Sequence, residues 1–254
     1  MERARFVTVI VRRPDLRAPF PAHFGARLTG QTVTAVRRRA KYLLATLSSR
    51  DTLLMHLGMS GSFRVARGAE GGSRAHDHVV FHMSSGTAVT FNDPRRFGFM
   101  DLVPAEHLAR HPALSSLGPE PLSPEFDGTA LARACKGKKT SLKAALLDQH
   151  VVAGLGNIYV VEALHRAGLS PLRPASTIAT RSGLPRPSAQ RLAAEIKHVL
   201  DDAIGRAAKK AYRSSRFRVY DREEARCPRR GCTGFIRRIT QAGRSTFYCA
   251  VCQR

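Results

Sequence analysis

Four of the five cysteines crowd into the last 28 residues, as Cys227-x4-Cys232 and, sixteen residues later, Cys249-x2-Cys252. Two close thiol pairs on tight turns, a hairpin's length apart, can close a tetrahedral thiolate site around Zn²⁺. One such ion supplies folding energy that a segment with so small a core lacks. Four thiolates leave no coordination position open, so the expected zinc is structural and not catalytic. Between the pairs, FIRRIT, QAG and RSTFY read as a hairpin carrying Arg237, Arg238 and, at its turn, Arg244. Such a turn is either a solvated charged tip or a loop for a nucleic-acid groove. The fifth cysteine, Cys135, stands alone. A large chain without an apolar leader points to a reducing compartment, not a disulfide scaffold.

The second feature is KGKKTSLKAALLDQHVVAGLGNIYVVEALHRAGLSP, two helices flanking a glycine-bearing turn, with Asn157 where the second helix begins. Gly154 and Gly156 permit close backbone approach, and a helix N-terminus offers unpaired N–H groups and a favourable dipole. Lys138, Lys139 and Lys143 lie on or before the first helix, so a phosphate is the expected guest. No GxxxxGK[ST] is present, which excludes a nucleotide P-loop.

The elements that must position these groups fall into two styles. The first hundred residues hold short β-rich runs between turn signals: Phe6–Val11, Thr32–Arg38, Tyr42–Leu47, Thr52–His56, Ser62–Val65, His78–Met83, Thr87–Phe91 and Phe97–Val103. That spacing predicts a β-sandwich or barrel, with one short helix over Ala22–Leu28. HPALSSLGPEPLSPEFDG, with four prolines and little periodicity, reads as a linker. Helices follow over Gly128–Ala134, Ser141–Leu147, Asn157–Ala167 and Ser188–Ala207, the last with Leu192, Ile196, Val199, Leu200, Ala203 and Ile204 on one stripe.

Charge narrows the partner. Lys and Arg total 42 against 19 acids, a formal net charge of +23 spread along folded-looking segments. A polyanion relieves the self-repulsion that such a balance imposes. Codon bias accounts for 34 Arg against 8 Lys but not for the shortage of acids. No apolar run is long enough for a transmembrane helix.

Taken in order, RRAKYLL, LLMHLGMSGSFRV, HDHVVF, FNDPRRFGF, LGPEPL, KKTSLKAALLDQ, GLGNIY and GRSTFYCAVCQR resemble the formamidopyrimidine-DNA glycosylase and endonuclease VIII family of base-excision repair enzymes, closer to the formamidopyrimidine branch. The resemblance implies an α+β multidomain fold: a β-sandwich over 1–104, a linker over 105–124, a helix–two-turn–helix domain over 125–214 and a zinc finger over 215–254, with DNA in the cleft. It implies a monomer acting on double-stranded DNA with oxidised bases or abasic sites, in the bacterial cytoplasm and nucleoid.

The implied reaction removes 8-oxoguanine and ring-opened purines, then cleaves the abasic strand by β-elimination. The lesion base must be flipped out of the duplex to be reached. Met59, Arg95 and Phe97 match the wedge that fills the gap, with Arg95 on the orphaned base. His76, Lys138, Lys143, Asn157 and Arg244 match DNA contacts, chiefly to phosphates. Lys41 and Arg244 match positions tied to catalysis, Lys41 as a proton donor or backup amine.

Two departures accompany the match. The family's N-terminal proline nucleophile and adjacent glutamate, on a helix before the first strand, are absent from MERARF. The free α-amino group beside Glu2 has no helix to carry it to the chemistry. The segment AAKKAYRSS is shorter than the family's lesion-capping loop. Two expectations follow: an enzyme whose true start lies upstream, or a binder of damaged DNA without turnover. A generic zinc-ribbon nucleic-acid protein is a third, weaker reading.

Overall fold

A computed structural model of the chain describes residues 1–67, 72–208 and 217–254. They form two compact units, Met1–Ser115 and Ser116–Arg254.

Unit 1 is a β-sandwich. Its strands are β1 (Phe6–Val11), β2 (Val33–Arg39), β3 (Tyr42–Leu47), β4 (Thr52–His56), β5 (Ser62–Arg67), β6 (Asp77–Met83), β7 (Thr87–Asn92) and β8 (Phe99–Val103). They make two four-stranded sheets of order β1-β6-β7-β5 and β2-β3-β4-β8. Every neighbouring pair is antiparallel. The apolar residues that mark the strands also fill the core: Phe6, Phe81, Phe91, Val79, Leu53 and Met55 are all buried. The helix α1 (Phe24–Leu28) buries Phe24 and Leu28 against it.

The last strand corrects the sequence reading at its start. It begins at Phe99, not Phe97, because residues 93–98 form a turn in which Arg96 takes a positive φ of 57°. Phe97 is therefore 41% exposed on a loop instead of packed in a strand.

The proline-rich stretch is also more structured than a free linker. A one-turn helix, α2 (Ala105–Leu108), lies just before it, and its later part joins unit 2. Gly118 N–H donates to the Gln149 carbonyl and Ala153 N–H to that of Pro119, while Phe126 is fully buried in the helical core.

Unit 2 is built on α3 (Gly128–Cys135), α4 (Leu142–Leu147), α5 (Asn157–Ala167) and α6 (Pro187–Ala208), with a 3-10 turn at Ala175–Ile178. The caps explain the starts. Asp127 accepts from Ala130 N–H at the head of α3, and Ser141 from Ala144 N–H at the head of α4. Helix α5 stops at Gly168, whose φ of 69° is the left-handed turn that glycine adopts without a Cβ clash. The apolar stripe of α6 is buried at Leu192, Ile196 and Val199, but Ile204 is 57% exposed, so the stripe ends before the helix does.

The hairpin β9 (Ile236–Gln241) and β10 (Arg244–Cys249) belongs to the same unit. Val219, Ile236 and Phe247 pack with Val161 of α5 in a small third core.

Candidate functional site

The four cysteines converge as expected. Their sulfurs all lie within 4.8 Å of one another, with Cys227 Sγ 3.7 Å from Cys252 Sγ and Cys232 Sγ 3.7 Å from Cys249 Sγ. A disulfide is about 2 Å long, so these are not bonded pairs. The short separations match the edge of a tetrahedron with metal–sulfur bonds of about 2.3 Å. The site can hold a metal ion. Each short contact joins a thiol of one pair to a thiol of the other, so closing the site also closes the hairpin.

Helix α5 supplies the wall of this cluster. His165 is fully buried, with Nε2 3.3 Å from Cys227 Sγ and 3.9 Å from Cys252 Sγ. Burial, then Arg218, Arg229 and Arg166, push its pKa down to about 4, so the imidazole is neutral. Arg229, one residue past Pro228, donates to the carbonyls of His165 and Arg166. It thereby covers carbonyls that the end of α5 leaves open.

Glu162, one turn earlier, accepts from the backbone N–H groups of Arg218, Val219 and Tyr220 at 2.8, 2.8 and 3.0 Å. None of these three supports is visible as a motif. Residues 209–216, which hold most of the AAKKAYRSS stretch, lie outside the described residues.

The glycine-bearing turn between α4 and α5 is tied by Gln149. Its Oε1 accepts from Gly154 N–H, and its Nε2 donates to the carbonyls of Leu147 and Leu155. The N-cap of α5 is Gly156, in extended conformation and without a side-chain cap. Asn157 is therefore the first helical residue, and its Nδ2 donates to the Ser245 carbonyl at 3.0 Å.

Lys143 requires a correction. It is fully buried, with Nζ 2.6 Å from Thr246 Oγ1 and 3.3 Å from the Ser245 carbonyl. Burial, then the charge of Arg244, lowers its pKa to about 8. It is an internal tether between α4 and β10, not a surface grip for a phosphate. Spacing placed it near the helix junction but not on the inner side of α4. Lys138 is half-buried, whereas Lys139 and Arg244 are exposed.

In unit 1 the expected wedge residues occupy two adjoining loops. Met59, 73% exposed, tops the turn between β4 and β5. Arg95 and Phe97 lie on the turn between β7 and β8, with the Arg95 guanidinium 4.6 Å above the Phe97 ring. Gly58 makes the meeting of these loops possible. At φ 63°, a Cβ there would sit 2.4 Å from the Phe97 carbonyl carbon and 2.6 Å from Gly98 N, so the two backbones touch.

His76 is exposed at a positive φ of 68°, beside the buried Asp77. Lys41 is exposed on the β2–β3 turn. Burial, then Lys41 and Arg17, lower the pKa of His56. The His56 Nδ1 accordingly accepts a hydrogen bond from Gly58 N–H at 3.0 Å.

A β-sandwich with exposed Met59 and Phe97 on adjoining loops, a helical unit with a glycine-bearing helix junction, and a four-thiol hairpin define a protein of the helix–two-turn–helix class. Comparison with known proteins fixes the family. Residues 1–100 match the formamidopyrimidine-DNA glycosylase N-terminal domain, and residues 117–214 match the H2TH domain of the same enzymes.

The whole chain aligns at 54% identity with 94% of the formamidopyrimidine-DNA glycosylase of Beijerinckia indica, and at 56% with 94% of that of Rhodopseudomonas palustris. The solved Lactococcus lactis enzyme with FAPY-dG-containing DNA superposes with a TM-score of 0.87 at 27% identity. That match covers 99% of this chain and 93% of the other. The chain belongs to the formamidopyrimidine-DNA glycosylase family.

Proposed function

We propose that the chain is a base-excision repair DNA glycosylase that flips out and excises oxidised purines, 8-oxoguanine and formamidopyrimidines, and cleaves the resulting abasic strand by β-elimination. The observation that carries the reading is the exposed Met59 and the stacked Arg95–Phe97 pair on backbone-packed loops, within a chain aligned throughout with named glycosylases. Apolar side chains held this way can enter the stack where a base has left it, at a cost of a few kcal/mol of unstacking. Arg95 then offers a planar donor fork to the unpaired partner base.

Lys138, the N-terminal end of α5 with Asn157, His76 and the exposed Arg244 serve as phosphate contacts in this reading. The four cysteines hold one structural Zn²⁺, which would be ligated by Cys227, Cys232, Cys249 and Cys252 and supplies folding energy to the hairpin carrying Arg244. Lys143 acts from behind, fixing Ser245 and Thr246 next to that arginine. Lys41, exposed beside His56, serves as proton donor for the elimination.

The test is borohydride trapping on duplexes carrying 8-oxoguanine or an abasic site, followed by peptide mapping. A covalent adduct with lesion-dependent nicking is the expected result, and the mapped peptide identifies the amine. Tight abasic-site binding with neither adduct nor nicking would replace the enzyme with a binder.

A further inference from the structure

The wedge loops converge on a carboxylate that no part of the proposed chemistry uses. Asp93 is fully buried, and among the described residues no cation pairs with it. A buried anion without a counter-ion persists only where hydrogen-bond donors replace its hydration. Both oxygens have one. Ser60 Oγ donates to Oδ1 at 2.5 Å, and Gly98 N–H donates to Oδ2 at 2.8 Å.

These donors come from different loops. Ser60 follows Met59, and its oxygen also accepts from Arg95 N–H at 3.2 Å. Gly98 follows Phe97, and a Cβ there would lie 2.7 Å from the His56 carbonyl and 3.2 Å from Asp93 Oδ2.

The Asp93 backbone adds a third connection. Its N–H donates to the His76 carbonyl at 3.1 Å, while its own carbonyl accepts from His78 Nε2 at 2.9 Å. One residue thus joins the Met59 loop, the Arg95–Phe97 loop and the strand start that carries His76.

We propose that Asp93 is a positioning residue: its carboxylate locks the two wedge loops into a single rigid insertion unit, so that Met59, Arg95 and Phe97 enter the duplex together. Two separately mobile loops would each lose conformational entropy on insertion, whereas a pre-tied pair loses less. The proposal rests on the wedge reading of Met59, Arg95 and Phe97. It adds that the wedge works through a buried acid that does not itself touch DNA.

Two variants test it in the full chain with its metal in place. Asp93→Ala removes both arms of the tether; Ser60→Ala removes the arm to the Met59 loop and the support of Arg95 N–H. Hydrogen exchange of the loop amides is read without DNA. Affinity is then measured for a duplex with a tetrahydrofuran abasic analogue and for an undamaged duplex.

In Asp93→Ala the amides of Arg95 and Gly98 exchange at least tenfold faster, and abasic-analogue affinity falls by roughly tenfold with undamaged-duplex affinity held within about twofold. In Ser60→Ala only the Arg95 amide accelerates, and damage preference falls by a smaller factor. A variant that merely destabilised the sandwich would move both affinities together. Should Asp93→Ala not fold, the Ser60→Ala pattern decides alone.

Unchanged exchange in the folded variants overturns the tether whatever the DNA does. Faster exchange with an unchanged affinity ratio also overturns the proposal if Met59→Ala lowers that ratio. If Met59→Ala leaves the ratio unchanged as well, the wedge reading itself has failed.

Discussion

The wedge loops and the cysteine hairpin solve one problem by different means: each must hold exposed side chains in a fixed pose on a short stretch of chain. The wedge loops do so with fixed chemistry of the sandwich, a buried carboxylate, a serine, and glycines that let two backbones touch. The hairpin has a small core of Val161, Val219, Ile236 and Phe247, and beside it four thiols placed so that they can hold a metal ion. The loops are pinned from within a large core, while the hairpin packs on α5 and gathers four thiols that can hold a metal ion. Stability of the two regions is therefore separable, and each has its own way of failing.

The largest expected break is loss of the metal. Structural zinc contributes an apparent binding energy on the order of 10–16 kcal/mol at neutral pH in zinc-finger peptides, and that energy is folding energy. A strong chelator or Cys249→Ser should unfold the hairpin and release Val219 and Phe247 to solvent, while unit 1 keeps its protected amides. Hydrogen exchange read by region checks this. DNA affinity should fall together with the hairpin, and unchanged affinity in metal-free protein would remove Arg244 from the interface.

The matching break in unit 1 is smaller. Asp77 is held down to a pKa of about 2: burial works against the anion, but Arg64, Arg74 N–H and Asn92 outweigh it. A depressed acid adds stability that is full above its ordinary pKa of about 4 and is lost as pH falls through about 2. Asp77→Asn should cost about 1–3 kcal/mol at pH 7 and flatten that acid limb. Denaturant melts of both proteins between pH 5 and pH 2 give the answer, and parallel acid limbs would deny Asp77 this role.

Most of the scaffold was legible because it is periodic or punctuated. The ranges Phe6–Val11, Tyr42–Leu47 and Thr52–His56 stand as read, since each is a short, largely apolar run with turn signals around it. The thiol cluster was legible because ligand spacing is itself the signal.

What escaped was whatever depends on which way a side chain turns. Lys143 reads as one more basic residue beside Lys138 and Lys139, yet it lies on the buried side of a six-residue helix too short to show a period. Asp93 sits in NDPRRF, where an aspartate before proline reads as a turn former and nothing reveals two loops closing over it. Glu162 looks like a solvent-facing charge in VVEALHRAGL until the returning chain presents three N–H groups to it.

Glu162→Gln is the next step down in size. A charged acceptor of three backbone N–H groups becomes a neutral one, at a cost of about 1–2 kcal/mol. The change should appear as faster exchange at Arg218, Val219 and Tyr220 with the metal still bound. Intact protection there would mean that the thiols alone hold this part of the chain.

The smallest net effect at neutral pH belongs to Lys143→Met, where two terms oppose. The variant loses donors to Thr246 Oγ1 and the Ser245 carbonyl, which destabilises the hairpin. It also removes an ammonium that burial disfavours, which stabilises the helical core. The terms separate with pH. With a folded pKa of about 8 against an ordinary 10.5, the native protein releases this proton before the unfolded chain does. Wild-type stability therefore carries a full penalty from this group below pH 8, and the penalty lifts as pH rises toward 10.5. Lys143→Met should match the wild type within about 1 kcal/mol at pH 7 and lack that rise. Denaturant midpoints taken with the metal bound at pH 7 and pH 10 measure the difference. An equal rise in both proteins would mean that Lys143 titrates as a solvated lysine and carries no burial penalty.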